Sequence, residues 1–83
     1  PRDVLFLGLG TGATAGASLL HESIDRIEVV ELIPEVIEAA RLMETVNYGI
    51  VSSDRVEIRV DDARHYLLLG NASYDVIISD LFV

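Results

Sequence analysis

Val4-Leu5-Phe6-Leu7 is an unbroken apolar run, too short for a helix and patterned like a strand buried on both faces. Glycines at alternate positions follow, Gly8, Gly10 and Gly12, and then small residues lead towards Leu19 and Leu20. That succession predicts a strand, a tight turn and a helix from about Thr14 to His21. Its first turn offers unpaired N–H groups and the positive end of a dipole. Glu22-Ser23-Ile24-Asp25 reads as a polar connector, and Arg26-Ile27-Glu28-Val29-Val30 as a second strand ending on Glu31. Pro34 fits the first helical position, where its missing N–H is not needed. From there Val36, Ile37, Ala40 and Met43 share one helix face, while Glu35, Glu38, Arg41 and Glu44 share another. Glu38 and Arg41, three apart, add a few tenths of a kcal/mol at most, and Asn47-Tyr48-Gly49 supplies a left-handed cap.

Val51 to Asp54 is read as loop. Arg55-Val56-Glu57-Ile58-Arg59-Val60 alternates polar and apolar, the mark of a strand wet on one face or lying at an edge. Asp61-Asp62 closes it, and a short helix runs from Ala63 to about Leu69 before Gly70-Asn71. Tyr74-Asp75-Val76-Ile77-Ile78-Ser79 is a fourth, apolar strand, ending on Asp80. Strands alternating with helices imply right-handed crossovers and a parallel sheet. The alternating third strand belongs at an edge and the first and fourth in the middle, giving an α/β fold with spatial order 3-2-1-4. Ligands of such sheets bind at the carboxyl ends of the strands, near the point where the order reverses, here between strands 1 and 4.

Composition adds bounds. Eighty-three residues make one small domain, able to bury roughly two-thirds of its extended surface. With 51% hydrophobic and 24% charged residues the chain is globular, and without cysteine it has no disulfide or thiolate metal site. The net charge of −8 argues against gripping a nucleic-acid backbone and is compatible with a cationic substrate. No run approaches the ~20 apolar residues of a membrane span, so this segment is expected to make no membrane contact. A start at Pro1 without methionine and a finish in Leu81-Phe82-Val83 suit a piece cut from a longer chain, in which the absence of a span here leaves membrane segments elsewhere open, and the acidic balance suits a cytoplasmic location. The expected partners are the rest of that chain and a further copy of it.

The strand ends carry the candidate chemistry. Strand 1 ends in the glycine turn, strand 2 in Glu31, strand 3 in Asp61-Asp62 and strand 4 in Asp80, all on one rim. Glu31 stands 23 residues after Gly8, close to the spacing of an acid that accepts hydrogen bonds from a ribose diol. A carboxylate presents two acceptor oxygens to two adjacent hydroxyl donors. Asp62, or equally Asp61, suits an adenine amino group, and both also suit a cap for the helix starting near Ala63. Asp80 ends beside the glycine turn, where the reacting end of a ligand would lie. His21, Arg64 and His65 read as helix-surface residues, with contact to an adenine edge the alternative for Arg64 and His65; Tyr48 and Tyr66 read as packing residues, and Ser79 has no histidine placed to activate it. The whole scheme requires Glu31 and Asp62 on the same side of the sheet, close to the glycine turn.

With these residues in view, the chain resembles the S-adenosylmethionine-dependent transferases of the class I methyltransferase superfamily, and within them the spermidine synthase (polyamine aminopropyltransferase) group. Val4-Leu5-Phe6-Leu7-Gly8-Leu9-Gly10-Thr11-Gly12 is similar to that family's glycine motif, and Val29 through Arg41 to its ribose-acid segment. Val60-Asp61-Asp62-Ala63-Arg64 is similar to its adenine-acid segment and Tyr74 through Asp80 to its fourth-strand motif. The resemblance covers nearly all 83 residues and implies a Rossmann-like sheet, the cofactor-binding half of the domain. It implies that Gly8, Gly10, Gly12, Glu31, Leu32, Asp61, Asp62 and Ala63 bind S-adenosylmethionine or its decarboxylated form. Asp80 would orient and deprotonate an acceptor amine, with no metal. The chain departs from the family pattern at Thr11 and Ile33, where aspartates are usual, at Val83, where a second acid is usual, and at Asp61, which replaces a glycine.

The leading expectation is therefore an enzyme that displaces an aminopropyl group from a sulfonium centre onto a small amine, with methyl transfer as the alternative. A nicotinamide oxidoreductase fits Gly8-Leu9-Gly10-Thr11-Gly12-Ala13 but leaves Asp62 and Asp80 without a task beside a pyrophosphate. A non-catalytic binding module is the third reading, motivated by Thr11 and Val83.

Overall fold

A computed structural model of the chain describes residues 3–69 and 74–79. Four strands, β1 (Asp3–Leu7), β2 (Arg26–Glu31), β3 (Val56–Val60) and β4 (Val76–Ser79), form one parallel sheet in the order β3-β2-β1-β4. The register pairs Leu7 with Val30 and Ser79, and Glu31 with Val60, so all four strands finish on one rim. Two loop hydrogen bonds extend the ladder past the strand ends: Gly8 N–H to the Val30 carbonyl (2.7 Å) and Asp61 N–H to the Glu31 carbonyl (3.1 Å).

The helices divide between the two faces because the chain reverses direction. Helix α1 (Ala13–Ala17) and its 3₁₀ continuation Ser18–Leu20 connect β1 to β2, and α2 (Pro34–Arg41) and α3 (Glu44–Asn47) connect β2 to β3. Their side of the sheet holds the larger core, built from Val4, Phe6, Ile27 and Val29 with Leu9, Ala15, Ile24, Ala40 and Ile50. Returning from β3 across the sheet to β4 by a right-handed crossover puts α4 (Ala63–Leu69) on the opposite face. There Leu5, Leu7 and Val30 pack with Ala63, Tyr66 and Tyr74. Alternation along each strand sorts its side chains between these two cores.

The expected order and all four strands stand, with several local revisions. The helix from Pro34 ends at Arg41, because the N–H groups of Leu42 and Met43 turn back only three residues, to Ala39 and Ala40. Glu38 and Arg41 do pair, at 3.7 Å, on its exposed surface. The left-handed residues after α3 are Tyr48 (φ 59°) and Gly49 (φ 70°), while Asn47 stays helical. Tyr48 is exposed rather than packed, since its left-handed backbone turns it off the core. Val51 lies in a 3₁₀ turn, Ile50–Ser52, rather than in loop. The connector 22–25 is not wholly polar in its role, for Ile24 is buried and the Arg55 guanidinium clamps the Leu19, His21 and Ile24 carbonyls at 2.8–3.1 Å. Among the described residues β2 rather than β4 shares the centre with β1, and β4 is an edge with Ile77 half exposed.

Candidate functional site

The glycine turn leaves β1 by a backbone route that side chains oppose. Gly8, Gly10 and Gly12 all take positive φ, at 99°, 57° and 86°. The turn closes through Gly12 N–H to the Leu9 carbonyl at 2.8 Å. A Cβ added at Gly12 would also lie 2.9 Å from the Ile50 Cγ2 and 3.0 Å from the Asn47 Cβ, so both conformation and space select glycine there.

Glu31 reaches across to this turn. Its Oε1 accepts the Leu9 N–H at 2.8 Å and its Oε2 accepts the Ile33 N–H at 3.1 Å, with the residue 9% exposed. A carboxylate has about four lone-pair sites, so two remain for a ligand after both backbone bonds are made. Asp62 precedes α4 and caps it, its Oδ1 accepting the Arg64 N–H at 2.8 Å. Asp61 accepts the Asp62 N–H at 2.7 Å and faces the His65 Nδ1 at 3.1 Å. Capping is thus the role the fold gives the acid pair directly, and the cap occupies one oxygen of Asp62.

These groups enclose a pocket of about 250 Å³ at the strand rim, lined by Gly8, Val30, Glu31, Leu32, Asp61, Asp62, Ala63 and Arg64. Six of the residues singled out by sequence therefore meet in one cavity: Gly8, Glu31, Leu32, Asp61, Asp62 and Ala63. Leu32 is 59% exposed, an apolar side chain without protein cover beside three carboxylates. Gly10 lies in the turn next to the cavity without lining it, and Gly12 turns towards Asn47 and Ile50. Asp80 lies outside the described residues, as does Val83. Ile33 and Thr11 are both exposed, Ile33 at 49%. Among the described residues no cluster of His, Cys, Asp or Glu is placed to hold a metal ion.

Val30 joins the lining unexpectedly, because strand alternation points it to this face, and Arg64 lines it from the first turn of α4, as its alternative reading beside an adenine edge has it. A second polar assembly lies beneath the pocket on the same face. Glu28, fully buried in β2, accepts from Arg26 (2.8 Å), Arg59 (2.9 Å) and the Tyr74 hydroxyl (2.7 Å), and Tyr74 meets the Tyr66 hydroxyl at 3.3 Å. Burial, then the bond to Glu28 and its negative charge, push the Tyr74 phenol up to about 12. The same carboxylate, by hydrogen bond and charge, raises the Arg59 guanidinium further. The sequence signal was available: a glutamate inside an apolar strand, with arginines two residues before it and on the neighbouring strand.

Three comparisons with known proteins bear on this geometry. The family model described as spermine/spermidine synthase domain matches residues 1–83. Polyamine aminopropyltransferase 2 of Hyperthermus butylicus is 35% identical over 82 residues, covering 98% of this chain and 27% of that protein. A crystal structure of spermidine synthase in complex with the transition-state analogue AdoDATO superposes with a TM-score of 0.86 at 33% identity, covering 96% of this chain and 28% of that one. A bacterial methyltransferase domain (CtHen1-CN) shares the fold, with a TM-score of 0.66 at 20% identity over 94% of this chain and 40% of that one. The chain thus spans just over a quarter of the length of the aminopropyltransferase and the spermidine synthase it matches.

Proposed function

The chain belongs to the spermine/spermidine synthase family, and from that premise we propose that it is the nucleoside-holding part of an aminopropyltransferase. The observation that carries this reading is the pocket in which Glu31, Asp61 and Asp62 surround the end of the glycine turn. Three carboxylates repel a pyrophosphate, which disfavours a dinucleotide, and they attract a nucleoside whose tail is cationic. Glu31 keeps two acceptor sites free for a ribose diol, and the exposed Leu32 offers an apolar wall to a base. Asp62 retains one oxygen beyond its capping bond for the base's amino group.

Decarboxylated S-adenosylmethionine, the proposed donor, is a substrate whose sulfonium makes the adjoining carbon electrophilic. In the transfer a C–N bond forms to the amine, the C–S bond breaks with its electron pair passing to sulfur, and the amine releases a proton. The residues of this segment bind and orient the donor, work that accounts for about 7–11 kcal/mol of barrier when reacting atoms are held near attack geometry. Asp80 is assigned the orientation and deprotonation of the amine on the resemblance of its strand motif.

The test incubates the full-length protein with putrescine and either S-adenosylmethionine or its decarboxylated form. Methylthioadenosine produced only from the decarboxylated donor supports aminopropyl transfer. Adenosylhomocysteine from the other donor identifies a methyltransferase; binding of a donor that Glu31→Ala abolishes marks a live site, and no detectable binding of either donor favours a non-catalytic module.

A further inference from the structure

Asn47 is fully buried at the end of α3, 36 positions from the glycine turn in sequence, yet it touches that turn on two sides. Its Nδ2 donates to the Thr11 carbonyl at 2.8 Å and to the Ala40 carbonyl at 2.7 Å, and its Oδ1 accepts the Gly49 N–H at 3.1 Å. Two carbonyls on one side and an N–H on the other fix which way the amide points. The amide joins the glycine turn, the last turn of α2 and the left-handed exit of α3 in a single knot.

Its backbone meets α1 as closely. A Cβ built on Gly16 would lie 2.0 Å from the Asn47 carbonyl oxygen and 2.8 Å from its Cα, so α1 rests directly on this residue. The space beside Gly12 is filled in part by the Asn47 Cβ and Nδ2, at 3.0 and 3.1 Å from where a side chain would begin. Thr11 lies between Leu9 and Gly12, which close the turn, and Leu9 is the residue whose N–H engages Glu31. The held carbonyl is therefore two residues from the atom that docks the candidate ribose acid.

We propose that Asn47 is a positioning residue for the nucleoside pocket, setting the shape of the glycine turn through the Thr11 carbonyl without touching the ligand. The inference rests on the functional reading above. Aspartate at this position has the same shape, loses both donated hydrogens and sets a negative oxygen against two carbonyls. The effect should travel through the turn to the donor nucleoside and leave the amine side alone.

The experiment uses the full-length protein and titrates decarboxylated S-adenosylmethionine calorimetrically into the wild type, Asn47→Asp, Asn47→Ser and Ile27→Ala. Asn47→Ser keeps one donor and leaves room for a water, so it carries the test should Asn47→Asp fail to fold. Ile27→Ala removes buried methyl groups from the core on the α1 side, at the end of β2 away from the pocket, and serves as the control for general loss of stability. The expected result is a dissociation constant at least tenfold weaker for the Asn47 variants and unchanged for Ile27→Ala at matched folded fraction, with the KM for putrescine unmoved. Asn47 variants that bind as the wild type does, or weaken no more than Ile27→Ala, overturn the positioning role alone. A wild type that binds no adenosine sulfonium overturns the functional reading, and this inference with it.

Discussion

Glu31 is the residue on which the pocket turns, because one carboxylate both pins the glycine turn and faces the cavity. Replacing it with glutamine puts an NH₂ group against the N–H of Leu9 or Ile33 and removes the charge from the two proposed ligand bonds. A charged hydrogen bond contributes about 1.5–3 kcal/mol, so affinity for an adenosine sulfonium should fall roughly tenfold to a hundredfold by calorimetric titration. Asp62 permits a cleaner separation of its capping bond from its proposed part in nucleoside binding. Serine caps a helix about as well as aspartate, whereas alanine loses ~1 kcal/mol of the cap. Asp62→Ser should therefore keep α4 stable in urea melts while weakening nucleoside binding, and Asp62→Ala should lose both. At this scale the sequence was informative about identity: six of the eight proposed binding residues meet in one cavity. It was silent about how they are held, since the bonds from Glu31 to Leu9 and from Asn47 to Thr11 join residues 22 and 36 positions apart.

Between elements, close approach and backbone conformation select glycine for different reasons, and the two can be told apart by substitution. Gly49 has open space around it but φ of +70°, so alanine there should cost about 1–2 kcal/mol of conformational strain. Gly16 needs no unusual φ, but its Cβ would overlap the Asn47 carbonyl, and backbone cannot yield as a flexible side chain can. Gly16→Ala should exceed the ~1–3 kcal/mol usual for overpacking, as seen by urea unfolding. The link from β2 to Tyr74 gives a pH signature. The phenol's value is raised from 10 to about 12 in the folded state. Its contribution is thus complete below pH 10 and lost as pH rises through 12. Tyr74→Phe should flatten the fall of stability between pH 10 and 12, a window in which this chain has no lysine to titrate. Element type and order were legible because strand runs and helix faces are local patterns. The early end of α2 was not, because it follows from hydrogen bonds that shorten to three residues around Ala40, whose carbonyl Asn47 completes.

The molecule as a whole covers its two faces unequally. The side bearing α1, α2 and α3 has a continuous core, whereas the other has α4 and Tyr74 over Leu5, Leu7 and Val30. Leu68 on α4 is 85% exposed, Leu67 45% and Ile77 on the β4 edge 51%. An edge strand next to uncovered apolar side chains invites pairing with other chains. Expressed alone, these 83 residues should bind a hydrophobic dye such as ANS and sediment as aggregates. Among the described residues no helix is long and apolar enough to cross a membrane.

The sequence by itself determined the alternation of strands and helices, the order in which the strands lie, and which residues arrive at the strand ends. These follow from short-range periodicity, from glycine and proline chemistry, and from the handedness of crossovers, all written in neighbouring residues. Only the tertiary structure decided that Glu31 would bond to the glycine turn, that Glu28 would be buried among two arginines and a tyrosine, and that Asn47 would underlie the loop it never neighbours in sequence. Each of those contacts satisfies a polar group withdrawn from water by residues far along the chain, and partners of that kind exist only once the sheet has brought the segments together.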